Sequence, residues 1–242
     1  MRSVVGFAIA AAACVGPFTG AASAADAKVA PKAAPVAVVE PVYLWKGMYA
    51  GLSAGWTSSQ FDWAFNPPMI GPNQSFTLSG SGWEADFQVG VQHQTNHFVW
   101  GLEAQALWFD GWAAHDGYGI SPGTAEARIT DAWTVGPRLG FAQARHLWYV
   151  TGGYAHGHVE TRDVTTLGAL TLPSSEDHNG WFAGVGVDWA VHGSTVIGLE
   201  YQHIALASAY HCVGLCLLSS NNNHDVSATA DVISARVSWL FR

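Results

Sequence analysis

Residues 233–242 read ISARVSWLFR, and every second residue from Ile233 to Phe241 is apolar. Strict alternation of apolar and polar residues predicts a β-strand with two unlike faces. One face carries Ile, Ala, Val, Trp and Phe, and the other carries Ser, Arg and one Leu. Each face of this strand therefore meets a different environment, and both environments must be identified.

The same alternation recurs throughout the chain after residue 44, and helical periodicity of useful length is absent. It predicts eight strands in all. The connections between them alternate between short and long, which places every short turn at one end of an up-and-down sheet; this asymmetry is typical of outer-membrane barrels. Seven strands precede the last one, at 45–56, 83–92, 100–108, 133–141, 147–159, 181–189 and 196–204. The long connections are expected at 57–82, 110–128, 160–179 and 206–228.

The composition argues for a membrane barrel and against several other classes of protein. Charged residues make up only 12% of the chain, about half the ordinary globular value. The chain has 12 Trp and 27 Gly, and 18 acidic residues outnumber 10 basic ones. An acidic chain with few bases is a poor candidate for nucleic-acid binding.

A soluble barrel with apolar residues inside would show the same period, so the direction of the faces needs separate evidence. The polar set is mostly Gly, Ser and Gln, which would cover a water-soluble exterior poorly. Trp residues stand at the ends of the predicted strands, as in the aromatic girdles at the edges of a membrane. An open sheet edge is costly in lipid, so the last strand is expected to pair with the first.

The N-terminal residues are expected to be a signal peptide, residues 1–24, followed by an Ala/Pro-rich periplasmic linker at 25–43. Arg2 precedes an apolar run, and Ala22-Ser23-Ala24 resembles a cleavage site. The residues before Cys14 weakly resemble a lipid-attachment site, which is the alternative. The barrel domain is assigned to residues 44–242.

Several stretches resemble the small outer-membrane β-barrel family of alphaproteobacteria, which includes the outer-membrane immunogenic proteins and is often labelled "porin family". The resemblance covers roughly residues 41–242; its more specific parts are LWYVTGGYA (147–155) and the terminal aromatic strand. It implies an all-β, eight-stranded, antiparallel, up-and-down transmembrane barrel in the outer membrane of a Gram-negative bacterium. The terminal strand resembles a C-terminal signal for the barrel-assembly machinery, carried here by Val237, Trp239 and Phe241. Arg242 after the terminal Phe departs from the family pattern.

The polar face of the strands is expected to line the lumen, where charged side chains need partners. An eight-stranded barrel is barely wide enough to hold its own side chains, so an open pore is the weaker expectation. Counting residues from the short-turn end predicts two ion pairs, Glu103–Arg138 and Glu200–Arg236. The complete predicted lumen network is Glu84, Asp86, Glu103, Arg138, Asp188, Glu200 and Arg236.

Other reactive residues give weaker signals. Cys212 and Cys216 are expected to form a disulfide in an exported protein, with a metal pair or free thiols as alternatives. His156 and His158 should point the same way on one strand, and His178, His211 and His224 are placed in long loops. None of these residues has the spacing of a known metal motif, so we predict no metal, no cofactor and no catalytic residue. A proline within a strand, Pro137, predicts a bulge or local kink.

These observations together predict a non-enzymatic outer-membrane protein with a structural and surface-exposed, immunogenic role. The alternative is a narrow porin-like channel for small solutes or cations, and a lipid-modifying enzyme is a third, weaker hypothesis. The expected partners are outer-membrane lipid, lipopolysaccharide and, during biogenesis, the barrel-assembly machinery.

Overall fold

The computed structural model describes residues 43–65, 75–116, 123–165, 171–212 and 223–242. Within these ranges the chain is all-β, and they contain no membrane-spanning helix. The described strands are β1 (Gly47–Phe65), β2 (Ser75–Thr95), β3 (Phe98–Asp110), β4 (Ala113–Asp116), β5 (Gly123–Gln143), β6 (His146–Thr165), β7 (Thr171–His192), β8 (Thr195–Cys212) and β9 (Asn223–Phe241).

The strands form one closed antiparallel ring. Their order is β3-β2-β1-β9-β8-β7-β6-β5-β4, and a further pairing of β3 with β5 completes the circle. Both β3 and β4 pair with β5, one after the other along its length, so the nine described strands fill eight positions. The predicted up-and-down barrel is confirmed, with its third strand interrupted at residues 111–112. Pairing of β9 with β1, from Met48–Phe241 to Phe65–His224, closes the ring and leaves no open edge there for lipid.

Three tight turns, at 96–97, 144–145 and 193–194, lie at the same end of the barrel as the start of β1 and the end of β9. Asn96, Ala144 and Gly193 have positive φ there, as tight hairpin turns require. At the other end the predicted connections were too long, because the strands continue beyond the predicted limits. β5 begins at Gly123, β7 at Thr171 and β9 at Asn223.

A band of exposed apolar side chains surrounds the half of the barrel nearer the tight turns. On β1 it runs from Met48 to Trp56, which corresponds to a height of roughly 20 Å for a tilted strand. Aromatic side chains mark both edges of this band, as expected where lipid meets water. The edge far from the tight turns carries Trp56, Trp83, Trp108, Trp133, Tyr154, Trp181 and Tyr201. The near edge carries Phe98, Trp100, Phe141, Trp148, Trp189, Trp239 and Phe241.

Beyond the far girdle the two faces of the barrel exchange their chemistry. On β1, Gln60 and Asp62 continue the outward face and are exposed, whereas Phe61 and Trp63 point inward and are 1% exposed. The outward face is therefore apolar in one half of the barrel and polar in the other. The inward cluster in the polar-walled half is apolar and includes Phe61, Trp63, Leu78, Leu107, Ile129, Val159, Phe182, Ile204, Leu206 and Val226.

A bulge or local kink is predicted at Pro137, and the bulge is wrong. The register of β5 against β6 is the same on both sides of this proline, as the pairs Val135–Tyr154 and Arg138–Thr151 show. The ladder simply opens at residues 136–137, because proline has no N–H to donate. The Thr151 hydroxyl donates to the Pro137 carbonyl instead, at 3.2 Å. The register shift of this strand pair lies elsewhere, between Ile129 and Asp131.

Candidate functional site

The lumen at the level of the apolar band contains the polar residues that the sequence singled out. All seven predicted residues point inward there, and each is at most 6% exposed. They come from six different strands, so the closure of the barrel brings them together. These residues are Glu84, Asp86, Glu103, Arg138, Asp188, Glu200 and Arg236.

Arg236 lies at the centre of the network and reaches across the barrel. Its Nη1 donates to Glu200 Oε2 at 2.5 Å and to the Tyr149 hydroxyl at 2.8 Å. Its Nη2 donates to Glu103 Oε2 at 2.8 Å. One guanidinium on β9 thus ties together side chains from β3, β6 and β8, and its planar donors suit such multiple contacts.

Arg138 provides the second positive charge. Its Nη2 donates to Asp188 Oδ2 at 2.5 Å, and its Nη1 lies 3.6 Å from Glu103 Oε2. The guanidinium carbon is also 3.6 Å from the centre of the Tyr149 ring, which is a cation–π distance. Arg138 and Arg236 therefore share both Glu103 and Tyr149.

The two ion pairs that the sequence predicts are both present within salt-bridge distance, but neither is isolated. Glu200–Arg236 is a direct contact, whereas Glu103 lies closer to Arg236 than to Arg138. Arg138 in turn is closest to Asp188. Counting residues from the turns gave the depth of each side chain; it could not give the tilt and stagger that bring β9 opposite β3.

Sequence reasoning missed four neutral members of this network. The Tyr49 hydroxyl donates to Glu103 at 2.7 Å, and the Tyr149 hydroxyl donates to Glu200 at 2.6 Å. Gln105 Nε2 donates to both glutamates, at 3.0 and 3.1 Å, and Gln202 donates to Gln105 Oε1. The Gln105 amide thus binds the two Oε1 atoms that the arginines leave free, whereas each tyrosine donates to an Oε2 atom that Arg236 also contacts.

A repeat within the chain could have identified these residues. The pattern Gly-Leu-Glu-x-Gln occurs at 101–105 and again at 198–202. Tyr49 pairs with Gly90, and Tyr149 pairs with Gly186; a Cβ at either glycine would overlap the tyrosine ring. The strands β1–β5 thus supply one Tyr, one facing Gly, one Glu with its Gln, and one Arg. The strands β6–β9 supply the same set.

Glu84 and Asp86 interrupt this approximate twofold pattern. The equivalent positions on β7, counted from the matching glycines, are Gly180 and Phe182. Asp86 accepts a hydrogen bond from the Ser53 hydroxyl. Among the described residues no donor lies within hydrogen-bond distance of either Glu84 carboxylate oxygen. With Glu84 and Asp86 included, the seven lumen residues comprise five carboxyl groups and two guanidinium groups.

Apolar layers close the network on both sides. On the tight-turn side Trp45, just before β1, is 1% exposed and packs with Val99, Leu147 and Val196. The cavity that separates it from Arg138 and Asp188 measures about 10 Å³, near the lower limit for one water molecule. On the opposite side the apolar cluster around Phe61 fills the lumen.

The terminal residue has a contact that the family pattern does not suggest. The Arg242 guanidinium carbon lies 4.4 Å from the centre of the Tyr43 ring, and Tyr43 packs edge-on against Trp45 at 4.9 Å. Arg242 therefore helps to hold the segment that closes the tight-turn end. Val237, Trp239 and Phe241, the predicted assembly signal, face outward and pair with β1. Their role in assembly stays a prediction.

The prediction that His178, His211 and His224 lie in loops is wrong, because the strands extend through them. All three imidazoles are buried, at 1% exposure or less, in the barrel half beyond the far girdle. His178 Nε2 and His211 Nε2 are 2.9 Å apart, and the Thr161 hydroxyl lies between His211 and His224 at 3.3 and 3.4 Å. Burial lowers the pKa of His178, and burial together with the neighbouring His178 lowers the pKa of His211 to about 3.

The remaining predicted residues are peripheral. His156 and His158 lie on one outward face of β6, and both approach Asp177 Oδ1, at 3.7 and 2.9 Å. The hydrogen bond from His158 lowers the pKa of Asp177. In the described ranges no three His, Cys, Asp or Glu side chains are grouped as metal ligands. Cys212 ends β8, and Cys216 lies outside the described residues, so their pairing stays a prediction.

Comparison with known proteins agrees with this architecture. Residues 10–241 match the family model for the outer membrane protein beta-barrel domain. The chain belongs to this family. It is 30% identical over 218 residues to the 31 kDa outer-membrane immunogenic proteins of Brucella melitensis and Brucella suis, which covers 85% of this chain and 88% of each relative. The 25 kDa outer-membrane immunogenic protein of Brucella canis is 25% identical over 95% of this chain and 91% of its own length.

Two solved structures share the fold at low sequence identity. The outer membrane protein OprG of Pseudomonas aeruginosa matches with a TM-score of 0.52 at 10% identity, covering 81% of this chain and 98% of that one. The outer membrane protease OmpT of Escherichia coli matches with a TM-score of 0.50 at 9% identity, covering 84% and 99%. The family and its relatives place the protein in the outer membrane of a Gram-negative bacterium.

Proposed function

We propose that this barrel is a non-enzymatic structural protein that stabilises the outer membrane and presents its far end at the cell surface without conducting solutes. The observation that carries this proposal is the filled lumen. Arg236 reaches glutamates on β3 and β8, and apolar side chains pack above and below the network. The names of the relatives, outer-membrane immunogenic proteins, support the surface-exposed role.

The energetics of the network oppose the channel alternative. A permeating cation would have to separate Arg236 and Arg138 from the carboxylates that they neutralise. Removing one partner of a buried ion pair costs about 3–5 kcal/mol, and several pairs here share their partners. Trp45 would also have to leave its apolar contacts before solvent could enter from the tight-turn end.

The positions of the acidic residues argue against hydrolysis. Glu84 and Asp86 stand on one face of β2, but both are enclosed in the lumen and offer no route to a substrate. The sequence His192-Gly193-Ser194 is the His-x-Ser pattern behind the hypothesis of a lipid-modifying enzyme. It lies at a tight turn, where Gly193 supplies the positive φ that the turn needs. The likeness to OmpT concerns the fold alone.

The partners of this proposed role are lipids and proteins of the envelope. The exposed apolar band fits lipid acyl chains, and the aromatic girdles fit the boundaries of a bilayer. Lipopolysaccharide would surround the far girdle, and the barrel-assembly machinery would receive the terminal strand during biogenesis.

The test is electrical recording of the folded, purified barrel in a planar bilayer. We expect no steady conductance from the wild-type protein and none from Arg128→Gln, which changes an arginine outside the lumen. Trp45→Ala combined with Arg236→Ala opens only the tight-turn half and should also stay closed, because the apolar cluster around Phe61 still fills the lumen beyond the far girdle. Steady cation-selective conductance of the wild type would contradict the proposal and favour the narrow channel.

The non-enzymatic assignment is tested by comparing the mass of lipid A from cells with and without the gene. The proposal expects identical masses. A mass difference that wild-type protein restores would favour a lipid-modifying enzyme.

A further inference from the structure

The charges on the outside of the barrel are separated by end. Apart from the C-terminal carboxylate of Arg242, the described residues at the tight-turn end include no exposed acid, so the basic and imidazole side chains there have no acidic side chain beside them. The basic rim consists of the exposed Lys46, Arg145, Arg242, His97, His146 and His192, together with the half-buried His93.

The opposite half has the reverse balance. Its two arginines, Arg128 and Arg162, both lie against the ring of Trp112, and Arg128 also forms an ion pair with Glu160 at 2.7 Å. Its exposed acids are more numerous and include Asp62, Asp110, Asp116, Asp131, Glu176, Asp177 and Asp231. The tight-turn end is therefore positive and the far end negative, although the net charge of the whole chain is −8.

The basic rim lies at the depth of the near aromatic girdle. His93 contacts the Trp100 ring at 5.5 Å between centres, and His146 stacks against Trp189 at 5.9 Å. His97 likewise stacks on a girdle ring, Phe141. Tryptophan in such girdles sits at the level of lipid headgroups. These imidazoles therefore lie at that level too, as do Arg145 and Arg242, which directly neighbour His146 and Phe241 in the sequence.

No acidic side chain neutralises the three full positive charges of the rim, and the C-terminal carboxylate of Arg242 offsets at most one of them. Arg145 donates to a backbone carbonyl, that of Val191, and Arg242 lies over the Tyr43 ring. Neither these arginines nor Lys46 forms an ion pair with a carboxylate in the part of the chain that the structure describes. Exposed cations without acidic partners remain available to an external anion.

We propose that the basic rim binds the headgroups of anionic phospholipids in the leaflet that surrounds the tight-turn end. This end faces the periplasm in outer-membrane barrels, where that leaflet lies. Lys and Arg at a membrane surface favour anionic lipid by up to about fivefold each, and the preference weakens with salt. The rim thus selects lipid and fixes the depth and orientation of the barrel.

The test uses full-length barrel in vesicles of equimolar phosphatidylcholine and phosphatidylglycerol, with bromine on the chains of one lipid at a time. Tryptophan quenching by brominated phosphatidylglycerol relative to brominated phosphatidylcholine reports which lipid is enriched at the protein. Both leaflets contain both lipids, so the direction of insertion does not affect the ratio.

We expect a wild-type ratio of about two or more, falling toward one in Lys46→Gln/Arg145→Gln/Arg242→Gln. The matched control, Arg128→Gln/Arg162→Gln, removes two arginines from the other half and should keep the wild-type ratio. If the triple variant does not fold, the wild-type ratio should still fall toward one in molar salt. A wild-type ratio of one, an equal loss in the control, or a ratio indifferent to salt would overturn the proposal.

Discussion

Leu52 and Gln60 lie on the same outward face of β1, eight residues apart, yet the barrel around them is built in opposite ways. Around Leu52 the wall is apolar outside and the lumen holds charges and hydrogen bonds. Around Gln60 the wall is polar outside, and Phe61 and Trp63 fill the lumen with apolar rings. One half is organised for lipid, and the other half is organised as a water-soluble barrel is.

This difference shows what the alternating pattern does and does not specify. A period of two assigns residues to faces, but the environment decides which face must be apolar. The exchange occurs just beyond the far girdle, so it marks where the membrane ends. A barrel with apolar residues inside and polar residues outside is the wrong description of the membrane half, but it is the arrangement found in the far half.

Arg236→Ala should produce the largest effect of any single change in the membrane half. It leaves Glu103 and Glu200 buried without their main cation, which should cost about 3–5 kcal/mol of unfolding free energy. Urea titration followed by the heat-dependent gel shift of the folded barrel measures this. Arg128→Ala, which breaks a partly exposed pair in the far half, should cost at most about 1 kcal/mol. Equal losses would contradict the contrast between the halves.

Phe61→Ala tests the apolar lumen of the far half. Removal of a buried aromatic ring leaves a cavity and should cost about 3–5 kcal/mol if the far half unfolds together with the rest. Native-state hydrogen exchange should show the loss first in the far halves of β1 and β9. A variant as stable as wild type would mean that the cluster around Phe61 is not a packed core.

A charge placed on the outward face should distinguish the two halves directly. Leu52→Arg puts a cation against lipid and should cost about 2–4 kcal/mol. Gln60→Arg makes the same charge change against water and should stay within about 0.5 kcal/mol. The same urea titration in lipid vesicles gives both values. A comparable penalty at the two positions would place the membrane edge beyond Gln60.

Acid should loosen the far half before the membrane half. The pKa of His211 is about 3 in the folded protein and about 6.5 when the imidazole is free. The open form therefore binds more protons below pH 6.5, and the folded form loses stability progressively as pH falls toward 3. Hydrogen exchange at pH 4.5 should be faster than at pH 7, after correction for intrinsic rates, near His178 and His211. His211→Gln should reduce this pH dependence. If the pH dependence of exchange is the same in the variant as in the wild type, protonation of His211 does not cause it.

How far the sequence predicts the structure depends on which half is considered. Alternation at 48–56 or 233–241 places the lipid-facing residues, and the intervening polar positions place the lumen residues such as Glu103 and Arg236. The sequence predicts loops for the far halves of the strands, because the polar outward residues of segments such as 57–65 resemble those of turns. The contact of Arg236 with Glu103 depends on barrel stagger, which a single sequence does not specify. The tyrosines could have been found from the repeated Gly-Leu-Glu-x-Gln pattern.

The outward face of β1 passes from lipid to water between Leu52 and Gln60. Spin labels at Leu52→Cys and Gln60→Cys, each in a Cys212→Ser/Cys216→Ser background in lipid vesicles, test it most directly through collision rates with oxygen and a water-soluble nickel chelate. Oxygen should dominate the relaxation of the label at position 52, and the nickel chelate should dominate at position 60. Oxygen-dominated relaxation at both positions would contradict it, because the polar half would then also lie in lipid.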